Sequence, residues 1–352
     1  MTCKHAVMET DADGGQLRWW RRKEVKWTIT AFVVVVVAEY LVLPEFGGAR
    51  QSLQALERVN LAVVAAAVVL EAVALVAYAE LTHSVLPAGG LGRLRILRIN
   101  LSSLAVSHVV PGGTAAGTGI SYRLLTESGV SGTDAAFALA TQGVGSAVVL
   151  NALLWLALVI SIPLHGYSPL YGLSAAAGAL LLAAFAAVLL LLTKGRNHTI
   201  QAVGRLADHI PFLDGERVTR QVKRVADRLA ALLKDPVLLT RAISWAAANW
   251  LLDAASLWVF LAAFGKVISP VNLLVAYGLA NVLAVIPLTP SGLGVVEFVL
   301  VSTLFGFGVG HGVAIDAVLG WRLVNFWLPI PAGGLTYLSF RVGPHRTRTA
   351  SR

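Results

Sequence analysis

Apolar residues run in long blocks separated by short polar or basic segments. The blocks lie at about 27–44, 59–82, 134–163, 169–193, 241–264 and 313–338. Each approaches or exceeds the roughly 20 residues that a helix needs to cross a bilayer. They predict six full spanning helices. Two further apolar stretches, 99–128 and 270–308, are interrupted near the middle by "VVPGGTAAGTG" at 109–119 and "VIPLTPSGLG" at 285–294. Proline removes a backbone donor and glycine loosens the chain, so neither stretch predicts one unbroken helix.

Composition agrees with a bilayer as solvent. Hydrophobic residues make up 57% of the chain and charged residues 13%, against about 25% charge in a typical soluble domain. Mean hydropathy is +0.73. The only cysteine, Cys3, lies in the polar N-terminal tail 1–26, so no disulfide framework or Cys-based metal site is expected within one chain. The block after that tail is long for a signal peptide and lacks a clean cleavage site; a retained first helix is expected.

The net charge of +9 raises a nucleic-acid reading, which the placement of the charges opposes. Arg93, Arg95 and Arg98 form one basic loop, 194–240 carries nine Lys/Arg against five acids, and the tail 341–352 has four Arg and no acid. All flank apolar blocks. Orientation by the positive-inside rule explains them, with attraction to anionic lipid headgroups at the cytoplasmic face as a second benefit. Both termini, 83–98 and 194–240 are then cytoplasmic. On that count 99–128 begins and ends inside and 270–308 begins and ends outside. Each is expected to be a re-entrant hairpin, one from each face, with its tip buried in protein or facing a polar cavity. The alternative is two ordinary spanning helices per stretch, kinked at proline, at the expense of the charge rule.

The two halves correspond. Unit 59–163 reads helix, hairpin, helix, and unit 241–338 repeats it in the opposite orientation. "GVSGTDAA" at 129–136 pairs with "GVGHGVAIDA" at 308–317, and "VLN" at 149–151 with "LVN" at 323–325. The expected fold is an all-α integral membrane protein, with six spans and two opposed re-entrant hairpins in an inverted repeat over 27–340. The linker 194–240 puts Val218, Val222, Val225, Leu229 and Leu232 on one helical face, the pattern of an interfacial helix.

Ionisable residues inside spans are expensive and mark function by default. Glu71 and Asp253 are each the thirteenth residue of equivalent spans, which makes them candidate coupling acids. Glu297 follows the second tip, Arg322 lies in the last span, and Arg123 and Glu127 follow the first tip. Glu297, Arg322, Glu71 and Asp253 fit a structural buried pair as well as a binding role. Arg123 and Glu127 also fit a snorkelling position at the cytoplasmic edge. His108 fits a hydrogen-bonded structural histidine. No metal spacing, catalytic triad order or nucleotide fingerprint occurs, so no metal, cofactor or catalytic residue is expected.

"IPLTPSGLGVVEFVL" with "RLVNFWLPIPAGG", and "VVPGGTAAGTGISYRLL" with "GVSGTDAAFAL", resemble the lysylphosphatidylglycerol synthase transmembrane family, also called flippase-like domain proteins. The resemblance covers roughly 27–340. Its most specific part is the proline-glycine-glutamate tip, although Ser291 stands where the family usually has glycine. The resemblance implies a multi-pass protein of the bacterial inner membrane. It also implies a lipid-translocating domain that, in aminoacyl-phosphatidylglycerol synthases, precedes a soluble acyltransferase-like domain. No such domain precedes Arg352, so enzymatic activity is not expected.

The expected activity is translocation of an anionic, aminoacylated or polyprenyl-linked lipid. Half-helix N-termini and freed amides at the tips suit an anionic headgroup. The expected binding residues are Pro111, Gly113, Gly117, Gly119, Arg123, Pro287, Thr289, Pro290, Ser291, Gly292, Gly294, Glu297 and Arg322. The alternative is a secondary transporter of a small ion or metabolite, which opposed hairpins also suit.

Overall fold

The computed structural model describes residues 60–87, 90–110, 113–165, 215–284 and 292–342, with four scattered positions between 179 and 187. The expected span 27–44, nearly all of 169–193 and both tails lie outside the described residues. Every element within them is helical. In chain order these are α1 (Leu61–Val85), α2 (Arg93–Val109) and α3 (Gly113–Glu127). Next come α4 (Gly132–Ala140, a π turn Thr141–Gly145, and Ser146–His165) and α5 (Gly215–Lys234). Then follow α6 (Pro236–Ala263), α7 (Pro270–Leu283) and α8 (Val295–Gly306). Last is α9 (His311–Arg322, a π turn Leu323–Trp327, and Pro329–Val342).

Among the described residues four helices are long and apolar enough to cross a bilayer: Leu61–Val85, Gly132–Ser161, Pro236–Ala263 and His311–Phe340. They match the blocks expected at 59–82, 134–163, 241–264 and 313–338. Large apolar side chains such as Val69, Val73, Val76, Leu156, Val159, Phe298 and Phe305 remain uncovered on the outside. Helices apolar on the outside as well as the inside belong in lipid, so this is an integral membrane protein.

Local chemistry sets the helix ends. Asp235 accepts from Val237 N and Leu238 N, both at 3.0 Å, with Pro236 in the first turn of α6. Ser269 caps α7 in the same way ahead of Pro270, the favoured N-terminal arrangement. α3 and α8 stop identically. Val130 N bonds Leu125 O at 3.1 Å with Gly129 at φ +95°, and Val309 N bonds Leu304 O at 3.1 Å with Gly308 at φ +80°. The left-handed glycine lets the next amide reach back and close the last turn. The Gly-Val pairs of the two halves therefore share one physical cause.

Residues 99–128 and 270–308 each form two helices that pack on one another. The first tip is shorter than expected, because α3 already begins at Gly113. At the second, α7 ends at Leu283 and α8 begins at Val295, and 285–291 lie outside the described residues. α1 packs most extensively on α6. α2 packs on Pro329–Val342 of α9, and α7 packs on Ser146–His165 of α4. Each helix pair thus leans on the final helix of the other half.

The π turns refine the correspondence between halves. One starts seven residues after Asp134 and the other seven residues after Asp316. In that register Asn325 stands opposite Gly143, whereas the sequence match of "VLN" with "LVN" sets it opposite Asn151.

The amphipathic helix expected within 194–240 is present as α5. Arg220, Lys223, Arg224 and Asp227 face outward and Leu232 is buried. The side chains of Val218, Val222, Val225 and Leu229 lie outside the described residues.

Candidate functional site

Buried polar side chains gather where α1, α6, α7, α8 and α9 meet. Asp253 on α6 accepts two strong hydrogen bonds, from Tyr277 Oη on α7 at 2.6 Å and from Trp321 Nε1 on α9 at 2.7 Å. Glu71 on α1 accepts from Asn325 Nδ2 in the α9 π turn at 3.1 Å. Glu71 and Asp253 are both buried, on the closely packed helices α1 and α6. Glu71 Oε2 finds no donor among the described residues.

Next in the chain after Trp321, Arg322 places Nε 2.7 Å from Glu297 Oε1 on α8. The side chains are only 7% and 21% exposed. The contact is an ion pair without a well-aimed N–H, and both partners keep buried polar atoms unused: Arg322 Nη2 and Glu297 Oε2 have no hydrogen-bond partner among the described residues. The Arg322 guanidinium also sits 5.1 Å from the Trp321 ring and 5.6 Å from the Phe326 ring. His108, at the end of α2, donates Nδ1–H to Phe326 O at 3.0 Å and stacks on the Phe326 ring. A π turn leaves carbonyls without their usual helical partners, and His108 takes one of them.

The structure brings together Glu71, Asp253, Glu297 and Arg322, the four membrane-embedded charges picked out by depth. It does not bring Arg123 to them. Arg123 Nε pairs with Glu127 Oε1 at 2.7 Å, one turn apart on α3, with side chains 62% and 54% exposed. The expectation that Arg123 supplies positive charge beside these four is not met by its placement: its partner is one helical turn away and both side chains are exposed.

The glycines divide by role. Gly113 opens α3 at φ +43°. Gly117 and Gly119 lie inside α3, so their amides belong to the helix ladder and are not freed, which corrects that expectation. Gly117 serves close packing instead: an added Cβ would come within 2.6 Å of Ser103 O, and Ser103 Oγ donates to Gly117 O at 2.7 Å. Gly119 faces open space. Gly292, at φ +71°, is wedged against Ala284 and Val296, and Gly294, at φ +77°, is the N-cap of α8. Pro111, Pro287, Thr289, Pro290 and Ser291 lie outside the described residues.

The model of the lysylphosphatidylglycerol synthase TM region matches residues 28–333. The chain belongs to that family. A UPF0104 membrane protein of Methanothermobacter thermautotrophicus (strain ATCC 29096 / DSM 1053 / JCM 10044 / NBRC 100330 / Delta H) is 28% identical over 129 residues. Those residues are 36% of this chain and 38% of that protein's length.

All four buried charges fall inside the lysylphosphatidylglycerol synthase TM region. So do three site residues that sequence reasoning missed: Tyr277, Trp321 and Asn325. Their available signal was depth. Tyr and Trp in membrane proteins favour the two interfaces, whereas Tyr277 and Trp321 fall well inside apolar helices and are almost fully buried.

Proposed function

We propose that this protein is a lipid translocase without enzymatic activity. It would move an anionic or aminoacylated phospholipid, or a polyprenyl-linked lipid, across the cell membrane, with both termini cytoplasmic. The observation that carries this reading is the buried Arg322–Glu297 pair beside the second helix pair, with Arg322 Nη2 and Glu297 Oε2 unused. A buried guanidinium without full hydrogen bonding is costly. A phosphate oxygen would satisfy it, and Glu297 Oε2 would accept from an ammonium or hydroxyl of the same headgroup.

Several features support the membrane arrangement behind it. α2, α3, α7 and α8 have 17, 15, 14 and 12 residues. At about 1.5 Å per residue they reach roughly 18–26 Å, short of the ~30 Å hydrocarbon core. Such lengths suit re-entrant hairpins better than kinked spans. The matching helix stops, the equal spacing of the π turns and the exchanged packing of α2 and α7 favour an inverted repeat. Paired broken segments of this kind commonly hold transporter sites near mid-membrane.

Glu71 and Asp253 supply a second element. Two acids on packed helices offer acceptors only when ionised, and Glu71 Oε2 is left without a donor among the described residues. The pair connects to Arg322 through Trp321, the residue before it. A headgroup charge arriving at Arg322 would thus be felt by the buried acids on α1 and α6.

The test is a reconstituted assay. Fluorescent phosphatidylglycerol is placed in proteoliposomes, and its exposure on the opposite leaflet is followed by chemical quenching. Wild-type protein should accelerate exposure over empty vesicles, and Arg322→Gln should lower the rate at least tenfold while remaining folded. Equal rates in wild-type and empty vesicles, with every candidate lipid class, would end the proposal.

A further inference from the structure

At the far end of α1 from Leu61 a cleft of 870 Å³, with charged side chains on largely apolar walls, opens between α1, the start of α2 and the start of α6. Its size is within the usual range of ligand sites, about 300–1,000 Å³. It is distinct from the buried charge cluster: Glu80 and Arg241 stand nine and twelve residues along their helices from Glu71 and Asp253, about 13–18 Å of helix rise.

The charges in the cleft are mostly positive. Arg93 and Arg241 face it, with the His83 ring beside them, against the single acid Glu80. Glu80 is already held by Arg93 at 3.0 Å. Arg241 is exposed and has no ion-pair partner among the described residues. The hydroxyls differ in availability. Ser84 Oγ donates to Leu81 O at 2.8 Å and Thr240 Oγ1 donates to Pro236 O at 2.7 Å, so neither proton is available to a ligand. The α6 N-terminus is closed by Asp235. The donors left are the two guanidiniums, the His83 ring, Ser244 and the Trp245 indole. Trp245 rests its ring on the core cluster around Leu81, Leu86 and Ile96, and Val237 adds an exposed apolar edge at 66%. Cationic donors beside a half-buried indole and an apolar lip fit an amphiphile whose anionic end is a phosphate.

We infer that this cleft binds a phosphate-bearing anion, presented as the headgroup of a phospholipid. Arg241 makes the direct contact and Arg93, steadied by Glu80, closes the other side. The shared chemistry is a phosphate monoester or diester, and a free phosphorylated solute would satisfy the same donors. The inference shares with the proposed function the idea of an anionic lipid ligand, but it concerns binding and requires no movement across the bilayer.

Native mass spectrometry of the full chain, purified from vesicles containing equal phosphatidylglycerol and phosphatidylcholine, tests it. Wild-type protein should retain phosphatidylglycerol in preference. Arg241→Gln should reduce the retained phosphatidylglycerol at least fivefold at an unchanged melting temperature, and Arg241→Glu should abolish it. Lys266→Gln, beyond the opposite end of α6, should leave retention as in wild type. Displacement of the lipid by millimolar glycerol 3-phosphate, lost in Arg241→Gln, would support the site and assign it to the phosphate alone. Failure of glycerol 3-phosphate to compete would support the site and assign it to the lipid. Equal retention in wild type and in the folded Arg241→Gln and Arg93→Gln proteins would overturn it. A protein that fails to translocate yet retains phosphatidylglycerol through Arg241 would refute the proposed function and leave this inference intact.

Discussion

Asp253 is the most heavily bonded acid at the buried centre, and its two donors make separable contributions. Tyr277→Phe removes one donor to a buried carboxyl without changing ring packing. It should cost about 1–3 kcal/mol, the usual penalty for a buried polar atom left unsatisfied, read as a lower melting temperature in detergent. Arg322 and Glu297 pose a different question. If they only hold each other, breaking either side should destabilise by up to about 3–5 kcal/mol, and Glu297→Gln with Arg322→Gln should recover both stability and transport. If Arg322 holds a headgroup, the double variant should fold but stay inactive; the second outcome is expected, and recovered transport would discard the binding role. The four charges were readable from sequence because a carboxylate or guanidinium in an apolar block has few tolerable surroundings. Tyr277, Trp321 and Asn325 were weaker signals, because an uncharged aromatic or amide side chain deep in a helix costs far less than a charge and so demands a partner less strictly.

Helix boundaries and packing glycines belong to the next scale. Gly117 and Gly119 look alike in "GTAAGTG", yet only Gly117 touches another helix. Gly119→Ala should stabilise by about 0.5–1 kcal/mol, since alanine is the better helix former and nothing lies near the new methyl. Gly117→Ala should destabilise, because its methyl meets Ser107 and the Ser103 carbonyl on α2. Thermal unfolding of the two single variants, side by side, checks the contrast. Proline and glycine announced that 99–128 and 270–308 break, but not where helix resumes: Gly113 starts α3, whereas Gly292 and Gly294 precede α8. The π turns had no signature at all, since one extra residue in a turn changes hydrogen bonding and not composition.

For the molecule as a whole, the arrangement proposed here puts Val130 and Gly310 on opposite faces of the membrane. With Cys3 replaced by serine, single cysteines at the two positions should label from opposite sides of sealed vesicles; labelling from the same side would dismantle the inverted repeat. The exchanged packing also bears on how the chain is made. α2 is covered by Pro329–Val342, through Ser102 Oγ to Thr336 Oγ1 at 3.0 Å and Arg98 to Ser339. About 220 residues separate Val109 from Pro329; at ~5–20 residues per second of synthesis, α2 waits roughly 10–45 s for its cover. During that interval its serines and Asn100 need a temporary host in the bilayer. A nascent chain halted before Pro329 should therefore be a better client for insertion chaperones and membrane proteases than the finished protein.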